Sequence, residues 1–490
     1  MALLRKICVL YFWISQASSL QERRQDLLSC LKEALHGDEA RVHFPSEPEY
    51  VTKSLIPFNL NLQYNASAVV YPNSTGEVSE IVSCAGKYDR KVQARGGGRD
   101  FINRCLGGAD DAVVVDMANF AKREIDGKTG IAVFGSGLLL KDVARFLHQN
   151  GGRYFPHGAS PTVGIGGHIM VGGMGYSSRK NGLSIDAVRE IEVVLANGTV
   201  TRASESINSD IFWAMRGAGA SFGIATEYTF QTMPEPETVL SYTFNFTSDD
   251  PSFLKEAVKA YHTIVQDPKL SLSMGGTTRL SRTSFLFDGA FFGTEEEFNS
   301  MKLESRLPKT TSTTITPNLS WIDYTEEVFG HAGKTNAPAY FYTQDMGVNR
   351  QNVPANASVD AWLDYIFSAD SDSATWSFQF DLTGGKTNEV ASDATAFPHR
   401  DSIYFMTAYA SSTGETSDKT IKFINEAVMK LQNNKPDDYM SYVGVASLAH
   451  GKKAQERYWG ANLPRLEQIK AKIDPDDIFS TPQYVKPATS

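Results

Sequence analysis

Hydrophobic and polar residues follow two different patterns along the chain. Up to about residue 233, short apolar runs alternate with stretches in which apolar residues recur every three or four positions. Beyond that point, long segments alternate apolar and polar residues with a period of two. The first pattern predicts short strands between helices, and the second predicts an antiparallel sheet with one face covered by helices. The predicted fold class is therefore α+β.

The boundaries of the predicted elements follow from these patterns. In the first half we expect strands at residues 66–71, 91–94, 112–116, 131–134, 188–195 and 223–230, and helices at 21–36, 75–88, 138–149 and 210–215. In the second half we expect strands at 240–246, 285–292, 375–382 and 403–410, and helices at 251–266, 294–307, 359–369 and 418–431. A last helical stretch, 458–479, ends at Asp474-Pro475, after which the chain extends.

The first twenty residues have the layout of a secretory signal. Arg5 and Lys6 precede the apolar run 7–14, and small residues follow. We expect cleavage, secretion, and no stable membrane association afterwards; an uncleaved anchor is the alternative and rests on this segment alone. Six Asn-x-Ser/Thr sequons agree with a secretory route, although such triplets also arise by chance: Asn65, Asn73, Asn197, Asn245, Asn318 and Asn356.

Cysteine content points to an oxidising compartment. Cys8 leaves with the signal, which makes a Cys30–Cys84 disulfide plausible and leaves Cys105 unpaired. The alternative is that all three are buried thiols.

Charge and motif spacing narrow the class of partner. The 490 residues include 47 Lys and Arg against 56 Asp and Glu, a net charge of −9, which lacks the basic surface of a nucleic-acid binder. None of the nine histidines forms a metal-spaced pair, so we expect no metal site. The expected partner is a small molecule.

Three glycine clusters occur in the first half. They are residues 95–100, residues 158–175 and residues 217–223. Consecutive glycines allow positive φ and let backbone N–H groups point into one concavity, which can hold a pyrophosphate without basic side chains. Neither a G-x-G-x-x-G fingerprint nor a P-loop is present. Glycine clusters can also be ordinary turns, but three in one domain favour a dinucleotide site.

Five segments along the chain carry a resemblance to a known family. They are Ala94-Arg95-Gly96-Gly97-Gly98-Arg99; residues 157–168, from the His157-Gly158-Ala159-Ser160-Pro161 start to the Gly164-Ile165-Gly166-Gly167-His168 end; Phe212-Trp213-Ala214-Met215-Arg216-Gly217-Ala218-Gly219; Ser221-Phe222-Gly223-Ile224; and Tyr458-Trp459-Gly460-Ala461-Asn462 with Asp474-Pro475 and Phe479. From about Tyr50 to the C-terminus, their order and spacing resemble the berberine bridge enzyme-like branch of the vanillyl-alcohol oxidase, or PCMH-type, family of FAD-linked oxidoreductases.

The resemblance implies a two-part FAD-binding domain around a substrate domain. The expected divisions are a signal at 1–20, a lead-in at 21–63, an FAD domain at 64–233, a substrate domain at 234–437 and a C-terminal segment at 438–490 that returns to the FAD domain. The residues implied to bind FAD are Arg95, Gly96, Gly97, Gly98, Arg99, Asp100, Gly158, Ala159, Ser160, Val163, Gly164, Gly167, His168, Gly172, Gly175, Gly223, Ile224, Tyr458 and Asn462.

Two departures from the family pattern concern attachment of the cofactor. Many members of this branch bind FAD covalently through a His after the three-glycine loop and through a Cys in a Gly-x-Cys-Pro segment. Here Arg99 and Ser160 stand at those positions, and neither side chain can form the corresponding link. We therefore expect noncovalent FAD. A cationic Arg99 beside the ring would favour reduced flavin; a solvent-facing or phosphate-directed Arg99 is the alternative.

Other departures concern the substrate cleft. The family's expected polar residues align on Phe101, on Met174 and, with less certainty, on Ala408, which suggests a lipophilic cleft. Of the expected phenols only Tyr442 survives, and it is the first candidate for the base that takes the substrate proton; Tyr409 is a weaker candidate and Tyr439 another. A structural tyrosine is the alternative for Tyr442. Val163 stands where this branch gates O2, and valine there favours an oxidase.

The resemblance and its departures imply an FAD-dependent oxidoreductase. We expect hydride transfer to flavin N5, reoxidation by O2, and a lipophilic secondary metabolite as substrate. A carbohydrate or alcohol oxidase and a non-redox isomerase or cyclase on the same scaffold are the alternatives. A binding protein without turnover is a further possibility.

Overall fold

The protein is described by a computed structural model over residues 25–47, 50, 54–333 and 337–489. The expected signal segment and the start of the first predicted helix lie outside these ranges, and residues 25–34 are helical. Helices and mostly antiparallel sheets together confirm the α+β class. In the described part of the chain, no helix has both the length and the apolar composition needed to cross a bilayer.

Three small sheets build the first half of the chain. The first has the order β1-β2-β4-β3, in which β2, β4 and β3 are parallel: β1 Val42–His43, β2 Ala68–Val70, β3 Val92–Arg95 and β4 Val113–Asp116. The second is antiparallel with the order β5-β6-β10-β8-β9: β5 Arg123–Ile125, β6 Ile131–Gly135, β8 Val188–Val194, β9 Val200–Ser204 and β10 Ile224–Gln231. The third pairs β7 Arg153–Tyr154 with β11 Met233–Pro234.

Among the described residues of this half, five helices of four to thirteen residues lie between the strands. They are α1 Thr75–Lys87, α2 Leu140–Gln149, α3 Ile165–Met170, α4 Ser178–Asn181 and α5 Ser209–Ala218. The first illustrates how the sequence sets a boundary. Ser74 accepts a hydrogen bond from the Glu77 backbone N–H at 3.2 Å and caps α1, whose buried residues Val78, Ile81 and Val82 repeat with helical spacing.

A seven-stranded antiparallel sheet dominates the second half. Its order is β15-β12-β14-β13-β17-β18-β16: β12 Val239–Thr247, β13 Met274–Leu280, β14 Ser284–Phe291, β15 Ser312–Leu319, β16 Tyr340–Asn349, β17 Thr375–Leu382 and β18 Ser402–Ser412. The helices of this half are α6 Pro251–Val265, α7 Glu295–Ser300, α8 Leu303–Arg306, α9 Trp321–Gly333, α10 Asn356–Ser368 and α11 Asp418–Leu431. Residues of α6, α10 and α11 bury one sheet face in a single hydrophobic core.

The C-terminal segment packs against the first half. It contains α12 Ala454–Trp459 and α13 Leu463–Ile473, whose apolar side chains share a core with β8 and β10. Within this segment Lys470 Nζ forms a buried ion pair with Asp474 Oδ2 at 2.6 Å and donates to the Phe479 carbonyl at 2.8 Å. Its third hydrogen bond, to the Ser221 carbonyl at 2.6 Å, joins the segment to the first half. The C-terminal segment thus shares the core of the first half, while the large sheet has a core of its own.

Several predicted elements differ from the structure. The predicted helix 294–307 is two helices, because Lys302 has φ of 52° between them. The predicted stretch 458–479 is interrupted at Gly460, which has φ of 44°. Strands β13, β15 and β16 were not predicted, since β13 contains Gly275 and Gly276 and β15 is rich in polar residues.

The predicted disulfide is confirmed. Cys30 and Cys84 are bonded across a sequence separation of 54, and Cys105 is a free thiol. The bond ties residues 25–34 to α1. Replacing both cysteines by serine is expected to lower the free energy of unfolding by about 2–4 kcal/mol, because the unfolded chain loses a crosslink. Denaturant melts with and without reductant would measure this; a reductant-insensitive wild type would contradict it.

Candidate active site

A cavity of about 840 Å³ lies between the glycine loops of the first half and the uncovered face of the large sheet. Its lining includes side chains from both halves and from the C-terminal segment. The uncovered sheet face supplies most of the charged groups, and the loops supply most of the glycines.

The loop wall is built by a close approach of two backbones. A Cβ added at Gly97 would overlap the backbone N of Gly164 and the carbonyl O of Thr162. A Cβ at Gly166 would lie 2.9 Å from the carbonyl O of Ser136. The Ser136 hydroxyl is buried and has no hydrogen-bond partner among the described residues. A glycine cradle with an unsatisfied polar group fits a flat cofactor that carries a pyrophosphate, such as FAD.

Fourteen of the nineteen residues implied to bind FAD line this cavity. They are Gly96, Gly97, Gly98, Arg99, Asp100, Ala159, Ser160, Val163, Gly164, Gly167, His168, Gly175, Gly223 and Ile224. Burial lowers the pKa of His168 to about 3, so its ring is neutral, and its Nε2 accepts a 3.0 Å hydrogen bond from the Gly158 N–H. His168 thereby braces the loop.

The other five residues lie behind the cavity wall. Arg95 donates to Asp116 and to the Ser54 carbonyl, at 2.5 Å each. Gly158 and Gly172 shape the loop between β7 and α4, Gly172 with φ of 121°.

Two members of this group belong to the C-terminal segment. Tyr458 donates to Gln483 Oε1 at 2.9 Å, and Asn462 donates to the carbonyls of Ser392 and Thr395 at 2.8 and 3.1 Å. Neither these two side chains nor the groups to which they donate line the cavity. Their contacts give them a supporting position in this structure.

Arg99 projects into the part of the cavity where the resemblance places the flavin ring. Its Nε donates to Thr162 Oγ1 at 3.1 Å, and its guanidinium carbon lies 5.1 Å from the centre of the Phe58 ring. Burial lowers the pKa of Arg99. Arginine side chains nevertheless keep their charge in proteins. A fixed cation therefore stands where the family has a flavin-linked histidine.

The uncovered sheet face presents a row of two carboxylates. Strand register places Thr277 of β13 opposite Asp288 of β14 on one side and opposite Asp381 of β17 on the other. All three line the cavity. We call Asp288, Thr277 and Asp381 the carboxylate row. A second row along the same strands contains Arg279 and Gln379, which are joined by a 3.1 Å hydrogen bond.

Burial dominates the electrostatics of the carboxylate row. It raises the pKa of Asp288 to about 6, against an opposing effect of Arg279. It also raises the pKa of Asp381, although Thr277 Oγ1 and Gln379 Nε2 both donate to that carboxylate, Gln379 at 3.0 Å. One charged group of this row can therefore change protonation near neutral pH.

Tyr442 lines the cavity close to Asp381, but its hydroxyl already has backbone partners. The N–H groups of Gly173 and Met174 donate to it, and burial raises its pKa far above the ordinary value. Its own backbone N–H donates to Asp345 Oδ2 at 2.7 Å, while Asp345 Oδ1 lies 2.6 Å from His450 Nε2. Asp345 thus anchors the C-terminal segment beside the cavity.

Two inferences about β18 need correction. Ala408 is buried in the core under the helices, on the opposite sheet face from Thr407, so it does not contribute to the cleft. Tyr409 does face the uncovered side, but it stacks on Phe341 at 5.2 Å and lies outside the cavity lining. An alignment shifted by one residue moves a strand position to the other face.

The lipophilic cleft predicted from three substitutions therefore has weaker support than the sequence suggested. Of the three residues, only Met174 lines the cavity, and Phe101 packs against Phe58 and Phe341 outside it. Sequence reasoning also missed the carboxylate row. The signal was present, because Asp288 and Asp381 occupy alternate positions of strands whose intervening positions are mostly aromatic.

Comparison with known proteins gives the family. Residues 66–204 match the family described as "FAD binding domain", and residues 422–486 match "Berberine and berberine like". The FAD-linked oxidoreductase sorD of Penicillium rubens is 32% identical over 94% of this chain and 98% of its own length. A carbohydrate oxidase of Microdochium nivale is 31% identical over 91% of this chain and 92% of its own length.

Solved structures agree with the sequence comparison. The xylooligosaccharide oxidase from Myceliophthora thermophila C1 in complex with xylobiose superposes with a TM-score of 0.86 at 27% identity, covering 95% of this chain and all of that one. The glucooligosaccharide oxidase of Acremonium strictum, described with a 6-S-cysteinyl, 8α-N1-histidyl FAD, gives 0.85 at 26% identity over 95% of this chain and all of that one. With the glycine cradle described above, these matches show that the chain belongs to the berberine bridge enzyme-like branch of the PCMH-type FAD-linked oxidoreductases.

Proposed function

We propose that this FAD-linked oxidoreductase oxidises a hydroxyl-bearing small molecule with a largely apolar body, and that it holds FAD noncovalently. The observation on which this rests is the cavity itself, because one wall is a glycine cradle and the opposite wall combines the carboxylate row with apolar side chains. The apolar lining includes Met174, Leu286, Val328 and Phe405. A substrate with a hydroxyl group and an apolar body would place the hydroxyl at the carboxylate row and the body against the apolar side chains.

The chain's own residues would remove the substrate's hydroxyl proton. When bound, FAD would accept the hydride, and O2 would then reoxidise the reduced flavin. Asp381 lines the cavity, its charge acts on the Tyr442 phenol, and Thr277 and Gln379 donate to it. Since the Tyr442 phenol is protonated at neutral pH, Asp381 is the proposed proton acceptor and Tyr442 orients or relays the proton.

Noncovalent binding is supported by the residues at the two attachment positions. Arg99 is held by Thr162 and Phe58, and Ser160 lines the same cavity. An arginine has no imidazole nitrogen and a serine has no thiolate, so neither forms the bonds named for the Acremonium relative. Arg99 retains a positive charge beside the ring, which favours the reduced, more electron-rich flavin.

Cofactor attachment can be changed by substitution. Acid precipitation of the wild type is expected to release all FAD into the supernatant. The double variant Arg99→His, Ser160→Cys is expected to retain yellow colour in the precipitate and to show in-gel flavin fluorescence, because it restores both attachment groups. Arg95→His is the matched control and should release its FAD. Flavin retained by the precipitated wild type would contradict noncovalent binding.

Anaerobic mixing tests the reaction. Holoprotein is mixed with a panel of hydroxylated aromatic and aliphatic compounds, and with glucose- and xylose-based oligosaccharides, while the visible flavin band is recorded. Bleaching by the first group with H2O2 formation after readmission of air supports the proposal. Product without bleaching would establish non-redox chemistry, and bleaching by sugars alone would establish a carbohydrate oxidase. The carbohydrate-oxidase alternative is favoured by the polar groups of the sheet face and by the similarity of the chain to glucooligosaccharide and xylooligosaccharide oxidases.

O2 use and secretion complete the proposal. Val163 lines the cavity at the position expected to admit O2. Secretion is supported by the Cys30–Cys84 disulfide and by the exposure of five of the six sequon asparagines, all but the half-buried Asn245. Rapid mixing of the reduced protein with O2 tests O2 use by its rate of reoxidation. Mass spectrometry of secreted protein before and after deglycosylation tests secretion and use of the sequons.

A further inference from the structure

The carboxylate row has a second end that the proposed proton transfer does not use. Asp288 lies two strands from Asp381, on the same face of the sheet. Because neighbouring strands lie about 4.8 Å apart, these two positions are separated by about 10 Å. Asp288 therefore contacts a different part of any molecule whose hydroxyl lies at Asp381.

The surroundings of Asp288 leave one of its oxygens without a donor. The phenols of Tyr176, Tyr242 and Tyr324 all interact electrostatically with Asp288, and Tyr176 lines the cavity beside it. Asp288 Oδ1 is buried and has no hydrogen-bond partner among the residues that the structure describes. A buried carboxylate oxygen without a donor is costly, and a donor on a ligand would remove that cost.

Neighbouring charges decide which kind of donor fits. Arg279 faces the cavity from the adjacent strand and interacts electrostatically with Asp288, so its guanidinium would repel a ligand ammonium. Asp381 and Asp288 together would repel a ligand carboxylate. A neutral hydroxyl avoids both repulsions and can donate to the carboxylate.

We propose that Asp288 is a specificity-determining residue that binds a second hydroxyl of the substrate, about 10 Å from the hydroxyl deprotonated at Asp381. The assignment rests on the proposed function, since it takes Asp381 as the reacting end. It narrows the substrate class to molecules with two hydroxyls at opposite ends of an apolar body of about one aromatic ring plus a short chain.

Matched pairs of alcohols test the distance and the group. The probes are benzyl alcohol, 2-phenylethanol and 3-phenylpropanol, each compared with its 4-hydroxyphenyl counterpart. Dissociation constants come from the flavin absorbance change on anaerobic rapid mixing of holoprotein, and limiting reduction rates come from the same traces. We expect the 4-hydroxyl to tighten binding about tenfold in the propanol pair and least in the benzyl pair, as for a hydrogen bond to a charged group.

Variants assign that preference to Asp288. Asp288→Leu should abolish the difference in affinity within the propanol pair, and Asp288→Asn should retain part of that difference because an amide oxygen still accepts. Asp364→Asn, at an exposed acid on the helix-covered face, is the matched control. The proposal would be overturned if the wild type bound both alcohols of every pair equally, or if it bound none of the probes. It would also be overturned if Asp288→Leu kept the preference for the 4-hydroxyl.

The two hypotheses fail in distinguishable ways. An affinity difference that depends on Asp288, without flavin reduction by any alcohol, would keep the hydroxyl site and refute the proposed oxidation. Flavin reduction without any preference within the pairs would keep the oxidation and refute the hydroxyl site.

Discussion

Gly97→Ala is expected to yield protein with little or no bound flavin. The new Cβ would overlap the backbone N of Gly164 and the carbonyl O of Thr162, and neither backbone atom can rotate away as a side-chain tip could. The two loops must therefore separate, which changes the cradle that they form. Overpacking of about 1–3 kcal/mol corresponds to a loss of about 5–150-fold in FAD affinity if it falls on the bound state.

The ratio of flavin to protein absorbance in purified protein measures this loss, and titration of apoprotein with FAD gives the affinity. Gly127→Ala is the matched control, since nothing lies within 4 Å of a Cβ at that glycine. Circular dichroism of both variants separates loss of cofactor from loss of fold. Full flavin content in Gly97→Ala would show that the loop approach does not position the cofactor.

Asp381→Asn is expected to slow flavin reduction by about 10²–10⁴-fold at saturating substrate, with a much smaller change in KM. The substitution preserves shape and hydrogen bonding but removes the proton acceptor. A base must be ionised, so wild-type activity should fall as pH drops through the raised pKa of Asp381. The charged and titratable groups facing it are Arg279, Asp288 and Tyr442, and the hydroxyl of Thr277 donates to it.

Thr277→Val provides the second measurement. It removes a donor that stabilises the Asp381 carboxylate, so the acid limb of kcat/KM should move to higher pH while the maximal rate is retained. Tyr442→Phe, measured in parallel, reports how much the Tyr442 hydroxyl contributes to the rate of flavin reduction. Wild-type reduction rates in Asp381→Asn together with a large loss in Tyr442→Phe would reverse the two assignments.

The glycine cradle was largely predictable, because its residues lie close together in the sequence. The clusters at 95–100 and 158–175 contain most of the residues that line the glycine cradle, and the spacing of the glycines within each loop already indicates close backbone approach. Sequence could not distinguish residues that face the cavity from those that hold it in place. Tyr458 and Asn462 resemble cofactor residues by motif, yet their hydrogen bonds reach Gln483 and the 392–396 loop.

The wall formed by the large sheet could not be predicted, because its composition depends on the register of the strands. Thr277, Asp288 and Asp381 come from three strands, and only the pairing of those strands places them in one row. The same register shows that Ala408 faces the core and Thr407 the cavity, a difference of one residue that sequence alignment could not resolve.

The sequence by itself indicated the family, the α+β class, a Cys30–Cys84 disulfide and the glycine loops that we propose hold the flavin, because each depends on apolar periodicity or on a few characteristic residues. The tertiary structure decided which side chains of the large sheet face the cavity together. Side chains more than a hundred positions apart, such as Thr277 and Asp381, become neighbours only through strand pairing, and burial between those strands then raises the pKa of the carboxylate.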